Sequence, residues 1–417
     1  MTTTTLSTRL EMPRIRTRLT RGTLARSIVH RAVAPMPVTV RYPDGTTIGG
    51  GAPDDPTLEV VRPDALFRRL ESHPKIGLGE AYMAGDWRAA PGTDLAELLM
   101  PFAARVADLV PKPLRALRGV VDERLPSHQR NTLTGSRANI EAHYDLSNDL
   151  FAAFLDETMT YSSALFDPAV PLADQDLATA QHRKIDAILD AAGVGEGTRL
   201  LEIGTGWGAL ALRAAGRGAR VTSITLSSEQ AALARERIAE AGLADLVEVR
   251  LQDYRETAGT FDAIVSVEMI EAVGEEFWPI YFATLDRLLA PGGTAAIQAI
   301  LMDHRRYLAT RHSYGWIQKY IFPGGIIPSL QAIDDVTSRH TGLRVSEVSA
   351  FGADYAETLR RWRERFLASW PTIAGPRFDE TFRRMWEFYL AYCEAGFATG
   401  YLDVAQITFT RPGRSRS

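Results

Sequence analysis

Near the midpoint of the chain, the run Leu200-Leu201-Glu202-Ile203-Gly204-Thr205-Gly206-Trp207-Gly208 joins an apolar segment to three glycines at alternate positions. A turn this bare lets a ligand approach the backbone, and such loops belong at the carboxyl ends of parallel strands. The flanking pattern agrees. "TRLLEI" (198–203), "ARVTSIT" (219–225), "LVEVRL" (246–251), "FDAIVSV" (261–267) and "GTAAIQAIL" (293–301) read as strands. Helical stretches at 208–217, 227–241 and 276–290 separate most of them. Strand and helix in alternation predict an α/β fold with a mainly parallel sheet and right-handed crossovers.

With 417 residues, of which 45% are apolar, the chain has room for more than one domain. Residues 1–35 form a basic arm carrying Arg9, Arg14, Arg16, Arg18, Arg21, Arg26 and Arg31 against a single acid, Glu11. Within it Leu24, Ala25, Ile28, Val29, Ala32 and Val33 recur at helical spacing. Such a helix could lie on an anionic membrane or pack on its own domain. Residues 36–110 read as a small α+β domain, 111–137 as a linker, and 138–417 as the catalytic domain. A net charge of −4 gives no basic field for nucleic acid. The lone cysteine, Cys393, excludes an internal disulfide and a thiolate zinc cluster, so no metal is expected. The N-terminus shows no apolar h-region, and no apolar run approaches the ~20 residues of a membrane span. A cytoplasmic enzyme is expected.

The glycine spacing is G-x-G-x-G, not the G-x-G-x-x-G of a dinucleotide loop. With Glu202 two residues before the first glycine, it resembles motif I of the class I S-adenosylmethionine-dependent methyltransferases. One feature differs from that general pattern. The second strand ends in Thr225-Leu226-Ser227-Ser228-Glu229-Gln230, with no acid at the strand end to hold ribose hydroxyls.

Longer motifs follow in order: "HYDLSNDLFAAFLDETMTYSSALF" (143–166), "TLSSEQ" (225–230), "QDYR" (252–255), "VEMIEAVGEEFW" (267–278), "YIFPGGIIPS" (320–329) and "FGADYAETLRRWRERF" (351–366). With "IGLGEAYMAGDW" in the small domain, they resemble the cyclopropane-fatty-acid synthase family, mycolic-acid cyclopropane synthases included, over roughly residues 60–410. The resemblance implies a Rossmann-like, mainly parallel seven-stranded sheet. It also implies methyl transfer from S-adenosylmethionine to a cis double bond in an acyl chain, usually within a phospholipid. Residue by residue, it puts Tyr161, Ser162, Glu202, Gly204, Gly206, Gly208, Thr225, Gln230, Tyr254 and Arg255 around the cofactor. The family's base is a bound bicarbonate; Glu271 and Tyr355 match its side-chain holders, Ser163 and Ile300 its backbone holders. Cys393 matches a cysteine once considered a nucleophile, although buried packing explains it more simply. The aromatics from Trp362 through Phe397 are expected to wall the acyl channel.

Two positions depart from the better-known cyclopropane synthases. Ser163 stands where cysteine is frequent, and Gln298 where histidine is common. Glutamine donates a hydrogen bond but carries no proton at neutral pH, so these changes bear on the product. The basic arm followed by "PMPVTVRYPDG" is similar to actinobacterial enzymes that make 10-methylene or 10-methyl branched fatty acids. The resemblance further implies a phospholipid partner at the inner membrane face, a homodimer, and a separate reductase acting on the product. Two other readings compete: a methyltransferase for a polar small molecule, and a non-catalytic lipid-binding relative.

Overall fold

The computed structural model describes residues 21–105, 131 and 147–412. The expected linker, apart from Asn131, and the arm before Arg21 lie outside the described residues. A seven-stranded sheet occupies the second half. Its strands are β5 (Arg199–Ile203), β6 (Arg220–Thr225), β7 (Val247–Leu251), β8 (Phe261–Val267), β9 (Leu289–Met302), β10 (Arg344–Ala350) and β11 (Leu402–Thr410). They lie in the order β10-β11-β9-β8-β5-β6-β7. The five expected strands are all present and mutually parallel where they pair. The two that the sequence reading missed, β10 and β11, run antiparallel at one edge.

Both faces are covered, which is why the central strands read as near-continuous apolar runs. Leu200, Val221 and Val265 face the helices Leu177–Ala191, Ala209–Gly216 and Ser228–Glu240. Leu201, Ile264 and Ile297 face the helices Trp278–Leu288 and Leu330–His340. From β5 the chain winds outward through β6 to β7, then returns to the other side of β5 as β8. Strand order reverses between β5 and β8, and their carboxyl ends frame the crevice where such sheets bind ligands.

The N-terminal part has a sheet of its own, ordered β2-β1-β3-β4, from β1 (Thr39–Arg41), β2 (Thr47–Ile48), β3 (Thr57–Val60) and β4 (Trp87–Ala89). It does not have a core of its own. Its Phe67, Tyr82 and Trp87 belong to one apolar cluster with Trp362, Phe366, Trp386 and Phe388 of the long helices Gly352–Ile373 and Glu380–Ala398. The helix Arg21–Val33 packs on this small domain. Val33 is buried, His30 Nε2 meets the Tyr42 hydroxyl at 2.8 Å, and the Arg26 guanidinium lies 4.8 Å over the Tyr42 ring. Of the two roles open to this helix, the structure displays the packed one.

A buried ion cluster ties the two parts together. Arg363 bonds Glu394 at 3.0 Å and Asp94 of the small domain at 2.8 Å, with Arg363 and Glu394 each only 6% exposed in their side chains. Removing one member leaves a buried charge without its partner. Arg363→Met should therefore destabilise the fold by about 3–5 kcal/mol, and Arg363→Met with Glu394→Leu should recover much of the loss. Denaturant midpoints of the two variants check this.

Candidate functional site

The glycine loop leaves β5 in a conformation closed to other residues. Gly204, Gly206 and Gly208 have φ of 99°, 51° and 90°, in the left-handed region where a Cβ is strained. The N–H groups of Gly204 and Thr205 both donate to the Ile224 carbonyl at the end of β6, which holds the loop across the crevice. Trp207 anchors its far side: the indole N–H donates to Asn148 Oδ1 at 2.8 Å, and the ring packs 4.9 Å from Phe151.

A cavity opens beside this loop. Tyr161, Ser162, Glu202, Gly204, Gly206, Thr225, Gln230 and Tyr254, all expected from the sequence, line it. Two expected residues do not. Gly208 begins the helix Ala209–Gly216, and a Cβ there would meet Ala234 at 3.3 Å, so its bareness serves helix packing. Arg255 is drawn away by Asp253, which it bonds at 2.6 and 2.8 Å, and its guanidinium lies over the Tyr254 and Phe277 rings. Asp253 and Gln252, quoted in "QDYR" but not assigned to the site, line the cavity instead, as does Lys184.

The lining suits an adenosyl group with a charged methionyl tail. Glu202 is buried and accepts from Ser223 Oγ at 2.5 Å, and burial pushes its carboxyl up to about 8. Thr225 Oγ1 donates to Gln230 Oε1 at 3.2 Å at the end of β6, a hydroxyl–amide pair where the general pattern has an acid. The Tyr254 hydroxyl is buried without a hydrogen-bond partner, a polar group left for a ligand to satisfy.

Next to the cavity lies a second buried cluster, centred on a residue the sequence reading did not single out. Glu268 follows the last residue of β8 and lines the cavity. It is one of two non-glycine residues with positive φ among those described, at 49°; the other, Met159 at 56°, lines the same cavity. A left-handed residue costs energy that surrounding contacts must hold in place. For Glu268 those contacts are clear. Its Oε1 accepts from the Ser163 N–H at 3.0 Å and from Gln298 Nε2 at 2.9 Å, and its Oε2 accepts from the Tyr355 hydroxyl at 2.6 Å. Burial raises its pKa, while these donors and the nearby Lys184 ammonium oppose the rise.

Ser163, Gln298 and Tyr355 were thus brought together as expected, but around a carboxylate of this chain. Tyr355 and the Ser163 N–H, assigned by resemblance to a bicarbonate, spend their hydrogens on Glu268. A second anion would sit against the Glu268 carboxylate with those donors already taken, so the cluster does not suit it. Glu271 accepts from the Ile300 N–H, its Oε2 is buried without a partner, and burial together with the Glu268 charge pushes it up to about 8.

Cys393 is half-buried in the Glu380–Ala398 helix, and burial pushes its thiol up to about 12, far from a thiolate nucleophile at neutral pH. The aromatics expected to wall an acyl channel pack together as apolar core: Trp362, Phe366, Trp386 and Phe388 are all buried. Tyr161 joins them, 5.2 Å from Trp362, with its hydroxyl 2.7 Å from that of Tyr389.

A strand-reversal crevice, a glycine loop after β5 and acidic and amide groups along its wall define a class I S-adenosylmethionine-dependent methyltransferase. The solved cyclopropane synthase MmaA2 from Mycobacterium tuberculosis aligns with 30% identity and a TM-score of 0.59, covering 66% of this chain and 97% of its own. The mycolic acid cyclopropane synthase CmaA1, solved with S-adenosylhomocysteine, aligns with 31% identity and a TM-score of 0.57, covering 69% and 99%. Residues 131–407 match the family described as mycolic acid cyclopropane synthetase, and the chain belongs to that family. S-adenosylmethionine is its methyl donor. Over 94% of this chain and 91% of the relative, it is 53% identical to the tuberculostearic acid methyltransferase UfaA1 of M. tuberculosis. It is 36% identical to the cyclopropane-fatty-acyl-phospholipid synthase of Escherichia coli, over 88% and 90%.

Two of the raised carboxyls, Glu202 and Glu271, contribute a pH dependence of stability. Folded, Glu202 and Glu271 hold protons up to about pH 8; unfolded, they lose them near the ordinary glutamate value of 4.5. The folded chain binds more protons between those limits, so this stability is fully present below the lower limit and is lost as pH rises through the upper one. Glu271→Gln, neutral throughout, should give a shallower fall in denaturant midpoint from about pH 5 to 8. Parallel curves for variant and parent would mean that Glu271 is ionised.

Proposed function

We propose that this enzyme methylates the cis double bond of an unsaturated acyl chain carried by a phospholipid, and that the product is methylene-branched, not a ring. The observation that carries the chemistry is Glu268, a buried carboxylate on the wall of the cofactor cavity, ordered by Tyr355, Gln298 and the Ser163 N–H. The likeness to UfaA1, closer than that to the E. coli synthase, supports the branched product. The E. coli relative's name supports the phospholipid. Among the described residues no helix is long and apolar enough to cross a membrane, which fits a chain that visits the membrane surface to take its substrate.

S-adenosylmethionine supplies an electrophilic methyl on a sulfonium. The alkene's π pair forms the new C–CH₃ bond while the S–CH₃ bond breaks, leaving a cation on the neighbouring carbon. A hydride moving from the methyl-bearing carbon makes the cation tertiary. Loss of a proton from the new methyl then gives an exocyclic methylene. Without the hydride shift, the same proton loss closes a cyclopropane. In either case a base must sit beside the new methyl in a site kept free of water. Glu268 takes that proton, and its donors oppose the rise that burial imposes on its carboxyl. Glu271, kept neutral by burial and by the Glu268 charge, can stand beside it without repulsion. Tyr161, Ser162, Glu202, Thr225, Gln230, Asp253 and Tyr254 hold the methyl donor.

Two experiments test this. Lipids from a host expressing the chain and fed methyl-labelled methionine should gain one labelled CH₂ per modified acyl chain and keep an alkene that hydrogenates; a bromination-resistant product would mean a cyclopropane. No label in any acyl chain would sink the acyl reading and favour a polar substrate. Glu268→Gln should bind S-adenosylmethionine as the parent does but lose about 100-fold or more in turnover.

A further inference from the structure

Behind Gln298 lies a second buried amide. Gln406 on β11 is the direct cross-strand neighbour of Gln298 on β9, and both side chains are shielded from solvent. Gln406 Nε2 donates to the Lys184 carbonyl at 3.0 Å and to Gln298 Oε1 at 3.3 Å. Gln298 Nε2 donates in turn to Glu268 Oε1 at 2.9 Å and to the Ser163 carbonyl at 3.5 Å. Every hydrogen of both amides therefore has an acceptor.

A carboxamide has nearly the same shape when its oxygen and nitrogen exchange places. Flipped, Gln298 would set its oxygen against Glu268 Oε1, two acceptors facing each other with no hydrogen between them. The contact with Gln406 forbids the flip: its NH₂, tied to the Lys184 carbonyl, needs an acceptor opposite. The Lys184 carbonyl is fixed by its place in the Leu177–Ala191 helix, so the direction of the whole chain of bonds is set by backbone.

We propose that Gln406 is a positioning residue for the reaction, locking the Gln298 amide so that its N–H, and not its oxygen, faces Glu268. The inference rests on Glu268 being the proton acceptor. Other groups also face Glu268: the Tyr355 hydroxyl from the Gly352–Ile373 helix, the Ser163 N–H, the Lys184 ammonium and the neutral Glu271. None of these dictates which end of the Gln298 amide points inward; apart from Gln406, only the Ser163 carbonyl, at a long 3.5 Å from Gln298 Nε2, favours the same orientation. With the lock gone, only the long Ser163 contact opposes the flipped amide, Glu268 keeps a proton more readily when that amide forms, and the acid limb of kcat moves to higher pH.

The test is kcat against pH for the parent, Gln406→Met, Gln298→Met, the double variant and Glu268→Gln, each checked for S-adenosylmethionine binding. Gln406→Met should move the acid limb up by about one pH unit with cofactor affinity unchanged. Gln298→Met should move it at least as far, and the double variant no further than Gln298→Met, because Gln406 acts only through Gln298. An unmoved limb in Gln406→Met, or shifts that add in the double variant, would overturn the proposal. Should Gln406→Met fail to bind cofactor, Gln406→Asn is read in its place, keeping an amide one methylene too short to reach both acceptors, with the same outcomes deciding. If Glu268→Gln keeps the parent's turnover and profile, the reading of Glu268 itself fails. If Glu268→Gln loses turnover while the Gln406 variant is unmoved, only the role of Gln406 fails.

Discussion

A carboxylate shut away from water must be met by hydrogens or take up a proton, and the end of this parallel sheet is built around that demand. Glu268 leaves β8 in a left-handed turn. To meet it, the chain brings an N–H from the segment after residue 160, an amide from β9 and a hydroxyl from the Gly352–Ile373 helix. Three stretches far apart in sequence are fixed relative to one another by two oxygens. Glu271, three residues on, meets the same demand differently: one backbone N–H is too little, and it keeps its proton. Two glutamates in one short segment thus face the same burial with very different sets of donors.

The parallel sheet was plain in the sequence because both of its faces are covered, and covered strands announce themselves as apolar runs. "FDAIVSV" at 261–267 is β8 to the residue. The edge pair β10 and β11 escaped notice for two reasons. β10 is almost wholly exposed and carries Arg344, Ser346, Glu347 and Ser349 without an apolar run. β11 follows a helix directly, with only a short turn to mark it. The glycine loop led to the cavity through Gly204 and Gly206, whose left-handed backbone fixes where they lie, while Gly208 serves helix packing.

The buried carboxylate cluster was legible in its partners but not in its centre. Ser163, Gln298, Tyr355 and Glu271 were all named, yet the residue that gathers the first three was passed over beside Glu271 in "VEMIEAVG". The available signal was position: Glu268 directly follows a central strand at the strand reversal, where a charged side chain has no solvent to face. Arg255 erred the other way. Its spacing in "QDYR" put it near the cavity, but a bidentate pull from Asp253 two residues back turned it aside, a local contact that no long-range pattern reports.

The Gly352–Ile373 helix carries Tyr355 near its start and Arg363 two turns on, about 12 Å along the axis. One holds the Glu268 carboxylate, and the other grips Asp94 of the small domain. The helix is thus a stiff rod with a hand at each place. Any displacement of the small domain at Asp94 would therefore be felt at the Tyr355 hydroxyl, because one length of helix carries both contacts.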